Sequence, residues 1–148
     1  MDKQDYEKLH GFYFEEIEVG QEALISKTIT ESDIISFANI TGDNNPVHIS
    51  NSFAERTIFK KVVAHGFLSA SLISAVIGMQ LPGPGSIYIN QTLSFLAPVF
   101  PGDTIEVKVR VKSKDEKKNR VILETFCEKK GKKILNGEAE ILVESKKK

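Results

Sequence analysis

The stretch that decides the fold is V-V-A-H-G-F-L-S-A-S-L-I-S-A-V-I-G-M, residues 62–79. After His65 no charged side chain follows until well past Met79. A helix that is apolar all round belongs inside a protein, with other elements laid over it. Along it Gly66, Ala70, Ser74 and Gly78 recur every four residues, a stripe of small side chains. Such a stripe serves tight packing against a sheet as well as close approach of a ligand. Near His65-Gly66, unpaired N–H groups and the positive end of the helix dipole gather, suited to a polarised carbonyl oxygen.

Downstream, Leu81-Pro-Gly-Pro-Gly85 breaks the helix and the period changes to two. Ile87, Ile89, Gln91, Leu93 and Phe95 are expected on one face of a strand, with Tyr88, Asn90, Thr92 and Ser94 on the other. After a turn at Pro101-Gly102-Asp103, Ile105, Val107, Val109 and Val111 alternate with charged residues, which predicts a strand with one wet face. Lys114 to Asn119 reads as a charged connection. Arg120 to Glu128 is a further strand, with Val121, Leu123, Thr125 and Cys127 on one side, which makes Cys127 a buried small residue. Lys130-Gly131-Lys132 turns the chain, and Leu135, Gly137, Ala139, Ile141 and Val143 face inward from the last strand. Four successive hairpin-linked strands predict an antiparallel sheet, and one fully apolar helix implies that the sheet curls around it.

Upstream, residues 1–20 read as an irregular lead-in with a solvated His10 and a turn at Gly20. Gln21 to Thr30 alternates as a first strand. Thr30-Glu31-Ser32-Asp33 then opens an amphipathic helix that runs to about Thr41 and stops at Gly42. A second short helix, about residues 51–57, is capped by Ser50 or Ser52, with Ser52 to Glu55 fitting the capping-box pattern.

Between these helices lies T-G-D-N-N-P-V-H-I-S, residues 41–50. Pro46 fixes its own φ and pushes Asn45 towards an extended conformation, so a stiff loop carries the carboxylate of Asp43 and the imidazole of His48. An acid/base pair within reach of one water is what proton transfer requires. Turn chemistry alone would also account for Asp and Asn beside Gly and Pro.

The totals bound the rest. One domain is expected over residues 1–148, with its core at about 14–143. Lys and Arg number 20 against 20 Asp and Glu, so no whole-chain field points to nucleic acid. A single cysteine leaves no internal disulfide and no thiolate cluster. The charged N-terminus has no apolar signal region and no apolar run reaches membrane-spanning length, which points to a cytoplasmic protein. Lys146-Lys147-Lys148 reads as a solvated tail.

Taken in order, T-G-D-N-N-P-V-H, V-V-A-H-G-F-L-S-A-S-L-I-S, L-P-G-P-G-S-I-Y and L-S-F-L-A-P-V-F-P-G-D resemble the MaoC-like family, closest to its stand-alone R-specific enoyl-CoA hydratases. The likeness runs from about Phe14 to Val143. It implies the α+β hot-dog fold, a five-stranded antiparallel sheet wrapped around a long central helix, and a homodimer formed by joining two sheets edge to edge. The family's motif is matched position by position by Asp43, Asn45, Pro46 and His48. Where the family commonly has Asp two residues after the His, this chain has Ser50, and both residue types cap helices well.

The resemblance implies a hydro-lyase that adds water to a trans-2-enoyl-CoA to give the (R)-3-hydroxyacyl-CoA, or the reverse. Asp43 and His48 would be catalytic, with base and acid unassigned because a coupled pair titrates as a unit. Gly66 would offer its N–H to the thioester carbonyl, and Ser74 and Asn45 would support the pair. His65 and Ile77 are candidates for lining the substrate pocket, though each also reads as a packed residue. No metal or redox cofactor is called for, coenzyme A being part of the substrate. Asp43, His48 and His65 have only a loose metal-ligand spacing. Two alternatives share the fold. Dehydration of 3-hydroxyacyl groups on acyl carrier protein would call for a basic docking patch, and no clear one shows in the sequence. Thioester hydrolysis would release free thiol.

Overall fold

In the computed structural model, which describes residues 1–147, the chain runs α1 (Lys3–Leu9), β1 (Glu22–Thr28), α2 (Glu31–Thr41), α3 (Pro46–Ile49), α4 (Asn51–Ala54), α5 (Gly66–Met79), β2 (Ile87–Gln91), β3 (Ser94–Phe95), β4 (Thr104–Asp115), β5 (Arg120–Lys129) and β6 (Lys132–Leu142). Lys148, the last of the terminal lysines, lies outside the described residues. No helix among the described residues is long and apolar enough to cross a membrane.

Alternation builds the sheet. Ile105, Val107, Val109 and Val111 of β4 are buried between solvent-facing neighbours, as are Val121, Leu123, Thr125 and Cys127 of β5. These side chains and Leu135, Ala139 and Ile141 of β6 close over Ile73, Val76 and Ile77 of α5 in one hydrophobic core. The helix packs against β1, β4 and β5, so the sheet curls around it in the hot-dog arrangement.

The strand order differs from successive hairpins. It is β1-β4-β5-β6-β2, with β3 also on β6. Only β4, β5 and β6 form a meander; the expected first strand of the four crosses over to the far side of β6. Its alternation also fails, because Ile89 is the extra residue of a bulge between Tyr88 and Asn90. Thr92 and Leu93 then separate β2 from β3. Counted as one interrupted strand, β2 and β3 give the expected five.

The interruption is matched to Gly137 in β6. A Cβ there would lie 1.8 Å from the carbonyl oxygen of Thr92. That is a backbone atom which cannot swing aside. We expect Gly137→Ala to destabilise the fold by roughly 3 kcal/mol, read as a lower urea midpoint at constant m-value. A loss below about 0.5 kcal/mol would show that the 91–93 link yields freely.

Three local expectations need correction. The lead-in contains a helix, α1, because Asp2 accepts the N–H of Asp5 at 2.8 Å as an N-cap. His10 is not solvated: its side chain is 2% exposed, its ring stacks on Tyr13 at 4.1 Å, and Nε2 lies 3.0 Å from a Glu144 carboxylate oxygen. Lys146 and Lys147 are exposed, as expected of a solvated tail, although the Lys146 N–H donates to Glu15 at 3.0 Å. Ser50, not Ser52, caps α4, which ends at Ala54. By contrast α2 is as read: Thr30 and Asp33 form a capping box, and Gly42 ends it at φ +78°.

The sequence predicts a long helix buried all round, yet Phe67, Ser71, Ser74, Ala75 and Met79 are exposed, Phe67 by 64% and Met79 by 71%. One face of an uncharged helix is left open in the single chain.

Candidate active site

Asn45-Pro46 does more than bend the chain. Asn45 Oδ1 accepts the N–H of Val47 at 3.2 Å, and Pro46 stands at the first helical position, where its missing N–H costs nothing. The motif therefore starts a one-turn helix, and His48 stands on α3 instead of on a loop. The N–H of Asn45 also donates to Asp43 Oδ1 at 3.3 Å, while the Asp43 N–H donates to Thr41 Oγ1 at 3.1 Å. The Asp43 backbone is thus tied to the end of α2 and its carboxylate to the start of α3.

The segment before α5 completes the site. The Val63 N–H donates to the carbonyl of Val47 at 3.3 Å, and the Ala64 N–H to that of Val99 at 2.7 Å. His48 Nδ1 lies 2.7 Å from the carbonyl of Val63. A carbonyl can only accept, so Nδ1 carries the proton, and neutral His48 keeps a lone pair on Nε2. By the same argument His65 donates from Nε2 to the backbone carbonyl of Asp43 at 3.0 Å. His65 is 2% exposed, its ring stacks on His48 with centroids 3.8 Å apart, and Phe37 lies 4.8 Å from it on another side. It is a buried strut between the acid and the base.

The Asp43 carboxylate and a nitrogen of each of His48 and His65 lie within 4.8 Å of one another. Polar atoms separated by that distance are ones a single water can bridge. A metal ion would need lone pairs converging on a point. The two imidazoles are stacked 27° apart, so their lone pairs lie in nearly parallel planes.

A cavity of about 520 Å³ opens on His48 and His65, while the exposed Asp43 lies beside it and is not part of its lining. Asn45, His48, His65 and Gly66 supply its polar wall; Val63, Phe95, Leu96, Val99 and Leu135 supply much of the apolar one. Gly66 is the first residue of α5, so its N–H has no partner within the helix. The ring of Phe95 closes over its Cα: a Cβ on Gly66 would meet Phe95 Cε1 at 2.7 Å. Sequence reasoning passed over Phe95 and Val63. The role of Val63 rests on a backbone carbonyl, which leaves no mark on residue type.

Two candidates fall elsewhere. Ile77 is 1% exposed in the hydrophobic core and does not line this cavity. Ser74 lies two turns along α5 on its open face, also away from the cavity of the single chain. Cys127 is buried, its thiol directed at the carbonyl of Ser69 at 3.7 Å and pushed up to about 12 by burial.

Residues 14–131 match the model of the MaoC like domain. The (R)-specific enoyl-CoA hydratase of Rhodospirillum rubrum is 49% identical over 131 residues, covering 88% of this chain and 91% of that protein. The 3-hydroxybutyryl-CoA dehydratase of Methylorubrum extorquens is 48% identical over 139 residues, 94% of this chain and 88% of that one. Among solved structures, the unliganded R-hydratase PhaJ1 of Pseudomonas aeruginosa superposes with a TM-score of 0.86 at 44% identity, over 92% of this chain and 88% of that chain. By the extent of these matches, the chain belongs to the MaoC-like domain family.

Proposed function

We propose that the protein is an R-specific enoyl-CoA hydratase, a hydro-lyase acting reversibly on trans-2-enoyl-CoA and (R)-3-hydroxyacyl-CoA. The observation that carries the reading is the tautomer of His48. With Nδ1–H committed to Val63, Nε2 is the free acceptor of a ring that has a nitrogen within 4.8 Å of the Asp43 carboxylate. A water donating one hydrogen to each presents its oxygen lone pair outward, to C3 of a bound enoyl thioester. As the C3–O bond forms, the pair takes one proton from that water and returns one proton to C2, so no net proton is gained or lost. Negative charge grows on the thioester oxygen meanwhile, and the free N–H of Gly66 at the start of α5 is the donor for it. Neither a metal nor a redox cofactor takes part in these steps. Asn45 supports them by orienting α3, and His65 by joining Asp43 to His48.

The reading includes a homodimer. β2 is a free edge strand with Ile87, Tyr88 and Ile89 exposed, and the open face of α5 adds Phe67, Ala75 and Met79. Pairing two β2 edges would cover both and bring Ser74 against the second copy. A cytoplasmic location goes with this reading and with a free, buried cysteine.

Crotonyl-CoA tests the function. We expect loss of the conjugated enoyl absorbance, no free thiol, and a product of R configuration at C3. Thiol release without hydration would move the protein to thioester hydrolysis.

A further inference from the structure

We propose that Lys61, Lys129 and Lys132, grouped around the ring of Phe100, bind the phosphorylated nucleotide of the coenzyme A thioester. The inference rests on the hydratase reading above and names the second half of its substrate site.

The chain as a whole is neutral, yet its positive charge is unevenly placed. The turn between β5 and β6 reads K-K-G-K-K over residues 129–133, and Lys60-Lys61 lie in the turn between α4 and α5. These turns are far apart in the chain and meet at one aromatic ring. Lys61 Nζ stands 4.1 Å from the centroid of Phe100, and Lys129 Nζ stands 5.4 Å from it. The basic patch that the sequence did not reveal is thus assembled by the fold.

Lys129 and Lys132 line a recess, and Lys61 stands over the Phe100 ring that forms part of its wall. Ala97, Pro98, Phe100, Lys129, Lys132 and Ile134 line a cleft of about 200 Å³. Ala97, Pro98 and Ile134 are also walls of the larger cavity that holds His48 and Gly66. The flexible arm of a thioester seated at Gly66 therefore has a continuous wall leading to the lysines. A carboxylate is present too. Asp103 accepts from Lys129 at 2.7 Å and from the N–H of Phe100 at 2.8 Å. Burial alone would raise its pKa, but those two hydrogen bonds and the charges of Lys129 and Lys61 together hold it below the usual carboxylate range. Asp103 thus stays ionised and offsets one lysine, leaving a surplus of positive charge on the cleft. Coenzyme A carries about four negative charges on its 3′-phosphate and pyrophosphate, and ammonium groups arranged around a concave recess suit them. A carrier protein would instead lay an acidic helix across a broad basic face.

The test compares crotonyl-CoA with crotonyl-pantetheine, which lacks the nucleotide, and with crotonyl-loaded acyl carrier protein, in the wild type and in Lys61→Gln/Lys132→Gln. We expect kcat/KM for crotonyl-CoA to fall roughly tenfold further than for crotonyl-pantetheine, with the loss in KM. Added salt should erode the wild-type preference for the coenzyme A ester and leave little to erode in the variant. Binding of adenosine 3′,5′-bisphosphate, measured by calorimetry, reads the cleft without turnover and should weaken in the variant by a similar factor. Equal losses on both thioesters, with bisphosphate binding unchanged, would overturn the proposal. So would a loss confined to crotonyl-loaded acyl carrier protein, which would make the patch a docking face. If the wild type hydrates neither ester yet binds the bisphosphate through these lysines, the nucleotide site stands and the hydratase reading falls.

Discussion

Asp43→Asn is expected to lower kcat for crotonyl-CoA hydration by a factor of about 100 to 10,000, with little change in KM. The amide keeps the size of the carboxylate and one acceptor oxygen, so the N–H of Asn45 still has a partner. What is lost is the charge that, in the proposed mechanism, polarises the water together with His48. His48→Gln should have a similar effect, because no other side chain can donate to the Val63 carbonyl and leave a basic lone pair on the cavity side. The two changes together should cost scarcely more than either alone. In the proposed mechanism both groups hold the same water, and members of one catalytic unit are far from additive. Asp43 is exposed and His48 half-buried, so neither replacement removes core packing, and the urea midpoint should stay within about 0.5 kcal/mol of wild type. Losses that multiplied in the double variant would mean that Asp43 and His48 act on different steps, and the single-water arrangement would be wrong.

The sequence carried the inner face of the sheet well because burial imposes a period of two. β4 and β5 have one wet face and one dry one, and Ile105 to Val111 and Val121 to Cys127 record it residue by residue. It failed at β2 and β3, where no such contrast exists. Ile87, Tyr88 and Ile89 lie at an open edge, so alternation there reflects something other than the core of this chain. Crossover of that strand to β6 left no trace either, because strand order is decided by long-range pairing and not by local pattern. α1 was missed for a different reason: with no buried residue it has no apolar stripe, and only the Asp2 cap announces it.

For the site, residue identity pointed to Asp43 and His48, and the structure brings them together. It could not show that His65 joins them, since that depends on a backbone carbonyl and a ring stack across two elements. Ser74 is the instructive case. Its spacing from Gly66 puts it on the small-residue stripe, but the same spacing places it on the open face of α5, out of reach of the cavity within one chain.

Gly66→Ala is the substitution that separates chemistry from packing at the helix start. The new methyl would sit 2.7 Å from Phe95 Cε1, so the ring, the first turn of α5, or both must move. It would also stand where a thioester oxygen has to approach the Gly66 N–H. Loss of such a donor commonly lowers kcat by about 100 to 1,000, and we expect a drop in that range for Gly66→Ala. Phe95 is half exposed, and the ring has room to swing outward, so global stability should change little. Trimming that ring then tells the two causes apart. In Gly66→Ala/Phe95→Ala the clash is gone, while the methyl still blocks the amide. A double variant that stays as slow as Gly66→Ala places the loss at the N–H itself. Recovery to the rate of Phe95→Ala alone would mean that the helix start had merely been pushed aside. A Gly66→Ala enzyme with wild-type kcat would remove this amide from the mechanism and leave the developing charge to another donor in the cavity.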